Sequence, residues 1–293
     1  MAKEKGAVVV TGASTGIGRA TALYLDEKGY RVFAGVRKQA DATSLKKDAT
    51  GDLTPITIDV TKPRSIAAAR QKVMRAVGKK GLQGLVNNAG IASAGPIEFL
   101  PVEEFQKVID VNLTGQYAVT QAFLQALRRG GGTVVFLTSI GGKVANPFFS
   151  PYCAAKFGLE GMADSLRREL KPWKDMNVVV VEPGSVATPI WEKGNDNFDR
   201  AAEKMPAEAK RLYGPHSERL KEVVTETAGR GIEPIEVAKV VEKSIRKNNP
   251  KTRYIVGRDA KMMKRTQSLL GDKRFDKLML RSIKMPDHAP PAK

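Results

Sequence analysis

Apolar and polar positions in this chain fall into two kinds of run that take turns. "GAVVVTG" (6–12) is a short, unbroken apolar segment ending in a Gly-rich turn. "RATALYLDEKG" (19–29) follows it, with apolar residues three and four apart, and closes on Gly29. A short all-apolar run fits a strand buried on both faces, and the 3.6-residue spacing fits a helix ended by glycine. The pairing recurs. "YRVFAGVR", "LTPITIDV", "LQGLVNNAG", "GTVVFLTSI", "MNVVVVEPG" and "TRYIVG" read as further strands. "RSIAAARQKVMRAVG", "PVEEFQKVIDVNLTGQYAVTQAFLQALRRGG", "SPYCAAKFGLEGMADSLRREL" and "EPIEVAKVVEKSIRK" carry helical spacing among them. Strands separated by helices predict right-handed βαβ units, hence an α/β fold whose parallel sheet is doubly wound and covered on both faces.

After Pro183-Gly184 the alternation lapses. Residues 187–231 are rich in Glu, Lys and Pro, with isolated apolar residues at Ile190, Trp191, Phe198, Met205, Leu212 and Tyr213. With no Pro/Ser-rich linker and no internal repeat, the chain reads as one domain, 1–293, with a substrate-lid insertion at 187–231 and a basic extension at 251–293.

Composition changes this picture in two ways. Cys153 is the only cysteine, which excludes an internal disulfide and favours a reducing compartment. The apolar run at the start is too short for a secretion signal, and no window reaches the roughly 18 uncharged apolar residues of a membrane span. A cytoplasmic protein, with membrane association as a further expectation, follows. The formal charge is +18, which suits nucleic acid, anionic lipid or a phosphorylated small molecule without choosing among them. Residues 251–293 carry a share of it. There, Phe275, Leu278, Met279, Ser282 and Ile283 fall on one helical face with basic residues opposite, a pattern for a helix on an anionic membrane or for one packed over a pocket or subunit contact.

Two segments carry candidate chemistry. "TGASTGIG" (11–18) sits between the first strand and the first helix, with Gly12, Gly16 and Gly18 spaced so that backbone can approach a pyrophosphate at a helix N-terminus. That position makes the fold Rossmann-type and the ligand a dinucleotide. The second strand ends at Val36, Arg37 and Lys38, without the carboxylate that grips an unmodified ribose. Two cations there suit a 2′-phosphate, so NADP(H) is favoured over NAD(H). In the other segment, Tyr152 and Lys156 lie one helical turn apart on one face. Either the ring packs while the lysine snorkels past it, or a cation adjoins a phenol that moves protons.

The order "TGASTGIG", "NNAG" (87–90), "DVNLTG", "LTSIGG", "YCAAK" and "PGSVAT" resembles the short-chain dehydrogenase/reductase family over about residues 5–190, particularly its steroid- and retinol-type members. The resemblance implies a catalytic set of Asn112, Ser139, Tyr152 and Lys156. Tyr152 exchanges a proton with the substrate oxygen, Lys156 lowers the phenol's pKa and holds the nicotinamide ribose, Ser139 holds the substrate oxygen, and the Asn112 carbonyl binds a relay water. It implies a cofactor site of Gly12, Ser14, Gly16, Ile17, Gly18, Arg37, Lys38, Asp59, Val60, Asn88, Gly90, Tyr152, Lys156, Pro183 and Thr188. Asp59 would approach the adenine, Asn88 the adenine-side ribose, and Thr188 the carboxamide. Ser139, Tyr152, Ile190, Trp191 and Tyr213 would meet a lipophilic alcohol or ketone, with His216 a weaker candidate. Cys153, where serine is common, would pack as a small apolar group. A homodimer or homotetramer is implied through the helices starting near Val102 and Tyr152, and no metal or nucleic acid is expected. The rival expectations are an NAD-dependent alcohol dehydrogenase of the same fold, and a non-catalytic nucleotide sensor or nucleic-acid binder.

Overall fold

The computed structural model describes residues 5–190 and 206–285. Seven strands form one sheet: β1 (Ala7–Val10), β2 (Arg31–Val36), β3 (Leu53–Thr57), β4 (Gly84–Asn87), β5 (Thr133–Leu137), β6 (Asn177–Pro183) and β7 (Arg253–Val256). Their spatial order is β3-β2-β1-β4-β5-β6-β7, and every adjacent pair is parallel. This is the Rossmann-type sheet that the sequence predicts. Pro55 is accommodated because β3 is an edge strand, where a missing N–H costs no ladder bond.

Helices α1 (Gly16–Glu27), α2 (Gln39–Asp48), α3 (Pro63–Val77), α4 (Val102–Ile109), α5 (Gly115–Gly130) and α6 (Ser150–Glu169) connect the strands up to β6. Then come α7 (Ala207–Gly229), α8 (Pro234–Arg246), α9 (Arg258–Leu269) and α10 (Asp272–Ser282). The period-2 alternation of strand side chains divides the core in two. Val9, Phe33, Leu85 and Val134 pack with Val73 of α3, Phe123 of α5 and Leu159 of α6. Val8, Val10, Val86 and Val135 face the other way, onto Leu25 of α1 and Val237 and Val241 of α8. Strands buried on both faces explain why these runs show no polar interruption.

The structure adds three things to the sequence reading. Helix α2 was not expected; among its ten residues only Leu45 is buried, so it carries little periodic signal. The long helix expected near 101–131 is broken at Asp110–Thr114 by a π-helical turn. Finally, the polar stretch before α8 includes the 23-residue α7. Its downstream end returns to the sheet through parallel pairing of Val186 with Ile232, where the Ala187 N–H donates to the Ile232 carbonyl at 3.0 Å.

Candidate active site

The chain leaves β1 and β4 side by side and crosses in opposite directions from them, so a crevice opens beyond their carboxyl ends. The glycine turn fills its lip. Gly12 has φ +65°, and a Cβ there would lie 2.8 Å from the Ala89 Cα. A Cβ on Gly18 would lie 2.2 Å from the Gly12 carbonyl oxygen and 2.3 Å from the Asn88 amide nitrogen. Only glycine fits at both positions. Thr11 ties the turn to β4: its hydroxyl donates to the Val86 carbonyl and accepts the N–H groups of Asn88 and Ala89. The Asn88 side chain donates to the carbonyls of Thr11 (2.9 Å) and Gly12 (3.1 Å). The amide expected at a ribose is therefore bound to the turn itself. Ser14 and Gly16 lie on the outer part of the turn, with Gly16 facing Thr188.

A narrow cleft of about 80 Å³ lies below the turn. Ser139, Tyr152 and Lys156 form one wall, and Ile17, Asn88 and Gly90 contribute from the β1 and β4 side. Pro183, Thr188 and Ile190 close it from the end of β6. Nine of the expected residues thus meet in one place although they are far apart in sequence. A wider groove of about 820 Å³ sits at the opposite end of the sheet, bordered by Lys5, Arg31 and Arg246. It lies at strand amino ends and helix carboxyl ends, where basic residues complement helix dipoles, so it is not the candidate site.

Ser139 ends the fifth strand run and starts a 3₁₀ turn, Ile140–Gly142, with its Oγ accepting the Gly141 N–H at 3.0 Å. Gly141 leaves space for the Tyr152 ring, since a Cβ there would be 3.2 Å from the ring's Cε1. Lys156 is buried, and its Nζ donates to the Leu137 carbonyl at 2.7 Å while lying 5.6 Å from the centre of the Tyr152 ring. Burial pushes the Tyr152 phenol up to about 12, against a hydrogen bond with Ser139 that lowers it. Burial brings Lys156 down to about 8, opposed by the charge of Glu160. The ammonium is thus turned to a carbonyl, and burial is the largest influence on both groups.

Asn112 is fully buried inside the π-helical turn. Its side chain accepts the Ile91 N–H and donates to the Ile91 carbonyl, both at 2.8 Å, which pins the loop after β4. Such one-turn π insertions are frequent at functional sites.

At the adenine end, Arg37 and Lys38 are exposed beyond β2. The Asp59 carboxylate accepts from the Thr61 N–H and hydroxyl, which together with Lys62 and Arg37 hold it below its ordinary range against the effect of burial. Val60 is buried against Gly115.

The lid candidates divide. Trp191, Phe198 and Met205 lie outside the described residues. Tyr213 does not line the cleft; its hydroxyl donates to Glu98 at 2.8 Å, and its ring meets Phe99 and Phe148 edge-on. His216 lies 6.5 Å from the Phe148 ring, and its Nδ1 has no hydrogen-bond partner. Leu220 and Val224 of α7 pack with Phe149, Cys153 and Tyr152, so Cys153 is the small apolar group expected. Phe148, which sequence reasoning missed, adopts φ +65° beside this cluster. Asp259 was missed too: its carboxylate accepts the Ser185 N–H at 2.8 Å and steadies the chain after β6.

The sequence model of the family described as short chain dehydrogenase matches residues 6–198. This chain belongs to the short-chain dehydrogenase family. It is 37% identical to short-chain dehydrogenase/reductase family 9C member 7 of Bos taurus, over 87% of this chain and 83% of the relative. Retinol dehydrogenase 5 of Mus musculus is 34% identical over 87% and 82%. The NADPH-dependent 3-dehydrocapnine reductase of Ornithobacterium rhinotracheale is 32% identical over 94% and 96%. Among solved structures, an actinorhodin polyketide ketoreductase variant with NADPH is 30% identical, covers 87% of this chain and 97% of its own, and superposes with a TM-score of 0.71. A short-chain dehydrogenase from Streptomyces avermitilis, at 23% identity, shares the fold over 98% and 100% of the two chains, with a TM-score of 0.75. As a short-chain dehydrogenase the protein is an NAD(P)-dependent oxidoreductase acting between alcohols and carbonyls.

Proposed function

We propose that this short-chain dehydrogenase interconverts an alcohol and its ketone or aldehyde with NADP(H), on a lipophilic substrate, through Tyr152, Ser139, Lys156 and Asn112. The observation that carries the reading is the single cleft in which Ser139, Tyr152 and Lys156 face the glycine-turn side, with Thr188 and Pro183 opposite. The residues fit a dinucleotide: Gly12 and Gly18 leave space that any side chain would fill, at the N-terminus of α1. When bound, the nicotinamide supplies or accepts the hydride. The protein's part is orientation and the proton. Tyr152 gives its hydroxyl proton to the substrate oxygen in reduction and removes it in oxidation, Ser139 donates a hydrogen bond to the same oxygen, and Lys156, swung from Leu137, steadies the phenolate. The buried Asn112 turn holds the neighbouring backbone for a proton relay.

Preference for NADP(H) is supported by exposed Arg37 and Lys38 at the end of β2 and by the NADPH named for two of the similar proteins. A lipophilic substrate is supported by the retinol dehydrogenases among the relatives and by Phe148, Leu220 and Val224 around Tyr152, with residues 187–231 as the lid. Exposed Val102, Phe105, Tyr117 and Phe157 on α4, α5 and α6 support a homodimer or homotetramer through those helices.

Helices α9 and α10 support a contact with an anionic membrane surface. Phe275 and Met279 pack inward on Ile140 and Val144, whereas Met262, Leu269 and Leu278 stay exposed among Lys261, Arg265, Lys273, Arg274 and Lys277. Among the described residues no helix is long and apolar enough to cross a membrane. The reading is tested by NADPH oxidation with a panel of long-chain and polycyclic ketones, compared with NADH. Absence of turnover with every carbonyl under both cofactors would favour a nucleotide-sensing protein instead.

A further inference from the structure

A lysine that acts as a cation must keep its proton, yet Lys156 is buried, and burial drives an ammonium toward its neutral form. One turn further along α6, on the same face, Glu160 is buried with both oxygens engaged. Its Oε1 accepts from the Thr138 hydroxyl at 2.8 Å, and its Oε2 accepts from Lys143 at 2.7 Å and Arg253 at 3.0 Å. A second carboxylate, Glu182 of β6, faces the same two cations from farther away, 3.6 Å from Lys143 and 3.4 Å from Arg253. Its Oε1 has no hydrogen-bond partner. Two buried carboxylates this close do not both ionise readily, and burial together with Glu160 pushes Glu182 up. Glu160, with three donors on its two oxygens, is thus the better satisfied of the two carboxylates. Asp164, one more turn along α6, shares the Arg253 guanidinium at 2.9 Å and is flanked by Arg167 and Arg168.

We infer that Glu160 is a positioning residue that keeps Lys156 protonated through its buried negative charge, and that Lys143 and Arg253 hold it in place from outside α6. The inference rests on the reading of Lys156 as the cation of the reaction. The charged and titratable groups around the pair are Tyr152 and Asp164 on α6, Lys143 after the 3₁₀ turn, Glu182 on β6 and Arg253 on β7. Glu160 is the charge that opposes burial at Lys156. Its removal leaves Lys143 and Arg253 facing the lysine with only Glu182 to replace it. Lys143 acts in the other sense, since it draws on the field of Glu160. Arg253 lies on β7, beyond the residues that the family model matches, and reaches Glu160 and Asp164 of α6 from there.

The test is the pH profile of kcat/KM for carbonyl reduction, with NADPH affinity by fluorescence titration as a second readout across the same pH range. Glu160→Gln should move the alkaline limb to lower pH, and Glu160→Gln with Glu182→Gln should move it further, by about one pH unit or more. Glu160→Asp should restore it in part. Lys143→Met, at a partly exposed position, should move the limb to higher pH. A residue with a merely structural role would lower activity or stability without moving the alkaline limb down in the glutamine variants and up in Lys143→Met. Alkaline limbs that stay within experimental error of wild type in the double glutamine variant and in Lys143→Met overturn the inference. If Lys156→Ala itself retains turnover, the underlying mechanism fails instead, which separates the two.

Discussion

The ammonium nitrogen of Lys156 lies 5.6 Å from the centre of the Tyr152 ring, on the same helical face one turn away. One of its N–H groups donates to the Leu137 carbonyl at 2.7 Å. Burial pushes the phenol up to about 12 and the ammonium down to about 8.

Removing the phenol hydroxyl should separate chemistry from binding. Tyr152→Phe keeps the ring packed on Gly141 and Cys153, so the fold and NADPH binding should survive. Turnover should fall by roughly 10²–10⁴-fold, the usual contribution of a positioned proton donor. Steady-state kinetics beside a cofactor titration checks both halves, and a variant with near-normal kcat would refute the assignment.

Burial of Lys156 makes stability depend on pH in a stated direction. Its folded-state pKa of about 8 lies below the ordinary 10.5, so between those values the unfolded chain holds more protons. Stability from this group therefore rises as pH increases through that window. Urea unfolding of wild type and Lys156→Met at pH 7 and pH 10 should show wild type gaining up to roughly 3 kcal/mol relative to the variant. A difference that does not change with pH would mean that the ammonium is not desolvated.

The glycine turn should tolerate no side chain at its tightest point. A Cβ on Gly18 meets the Gly12 carbonyl oxygen at 2.2 Å, and backbone cannot yield as a flexible side chain does. Gly18→Ala should cost about 1–3 kcal/mol of stability and at least tenfold in NADPH affinity. Gly161→Ala, inside α6 with nothing within 4 Å, is the matched control and should leave affinity unchanged while stabilising by up to about 1 kcal/mol. Thermal melts and fluorescence titration decide it.

Cofactor choice should turn on one exposed charge. Arg37 stands at the end of β2, where a carboxylate would favour an unmodified ribose. Replacing it in Arg37→Glu should lower the ratio of kcat/KM for NADPH over NADH by about 10–100-fold, the worth of a charge-assisted hydrogen bond. An unaltered ratio would show that Arg37 selects nothing.

Attraction of α9 and α10 to anionic lipid should be sensitive to salt and to charge reversal. Wild type should sediment with phosphatidylserine vesicles at low ionic strength and detach as salt rises, while Lys273→Glu with Lys277→Glu should remain in solution. Equal recovery of both proteins in the supernatant would remove the membrane contact.

Periodicity alone carried the seven strands, the helices that cover both faces of the sheet, and the glycine turn, because those features arise from residues within a few positions of each other. The same local reasoning put Tyr152 and Lys156 on one face. It missed α2, whose lone buried Leu45 leaves no stripe, and it read Asn112 as part of an ordinary helix because a π-turn has no simple spacing. Folding settled what depends on distant residues: the amide of Asn88 bound to the glycine turn, the Tyr213 hydroxyl given to Glu98, and Glu160 held by Arg253 from 93 positions away. It also set the direction of both pKa shifts. Desolvation is a property of the assembled neighbourhood, and a lysine four residues from a tyrosine carries no record in sequence of how much water will reach either one.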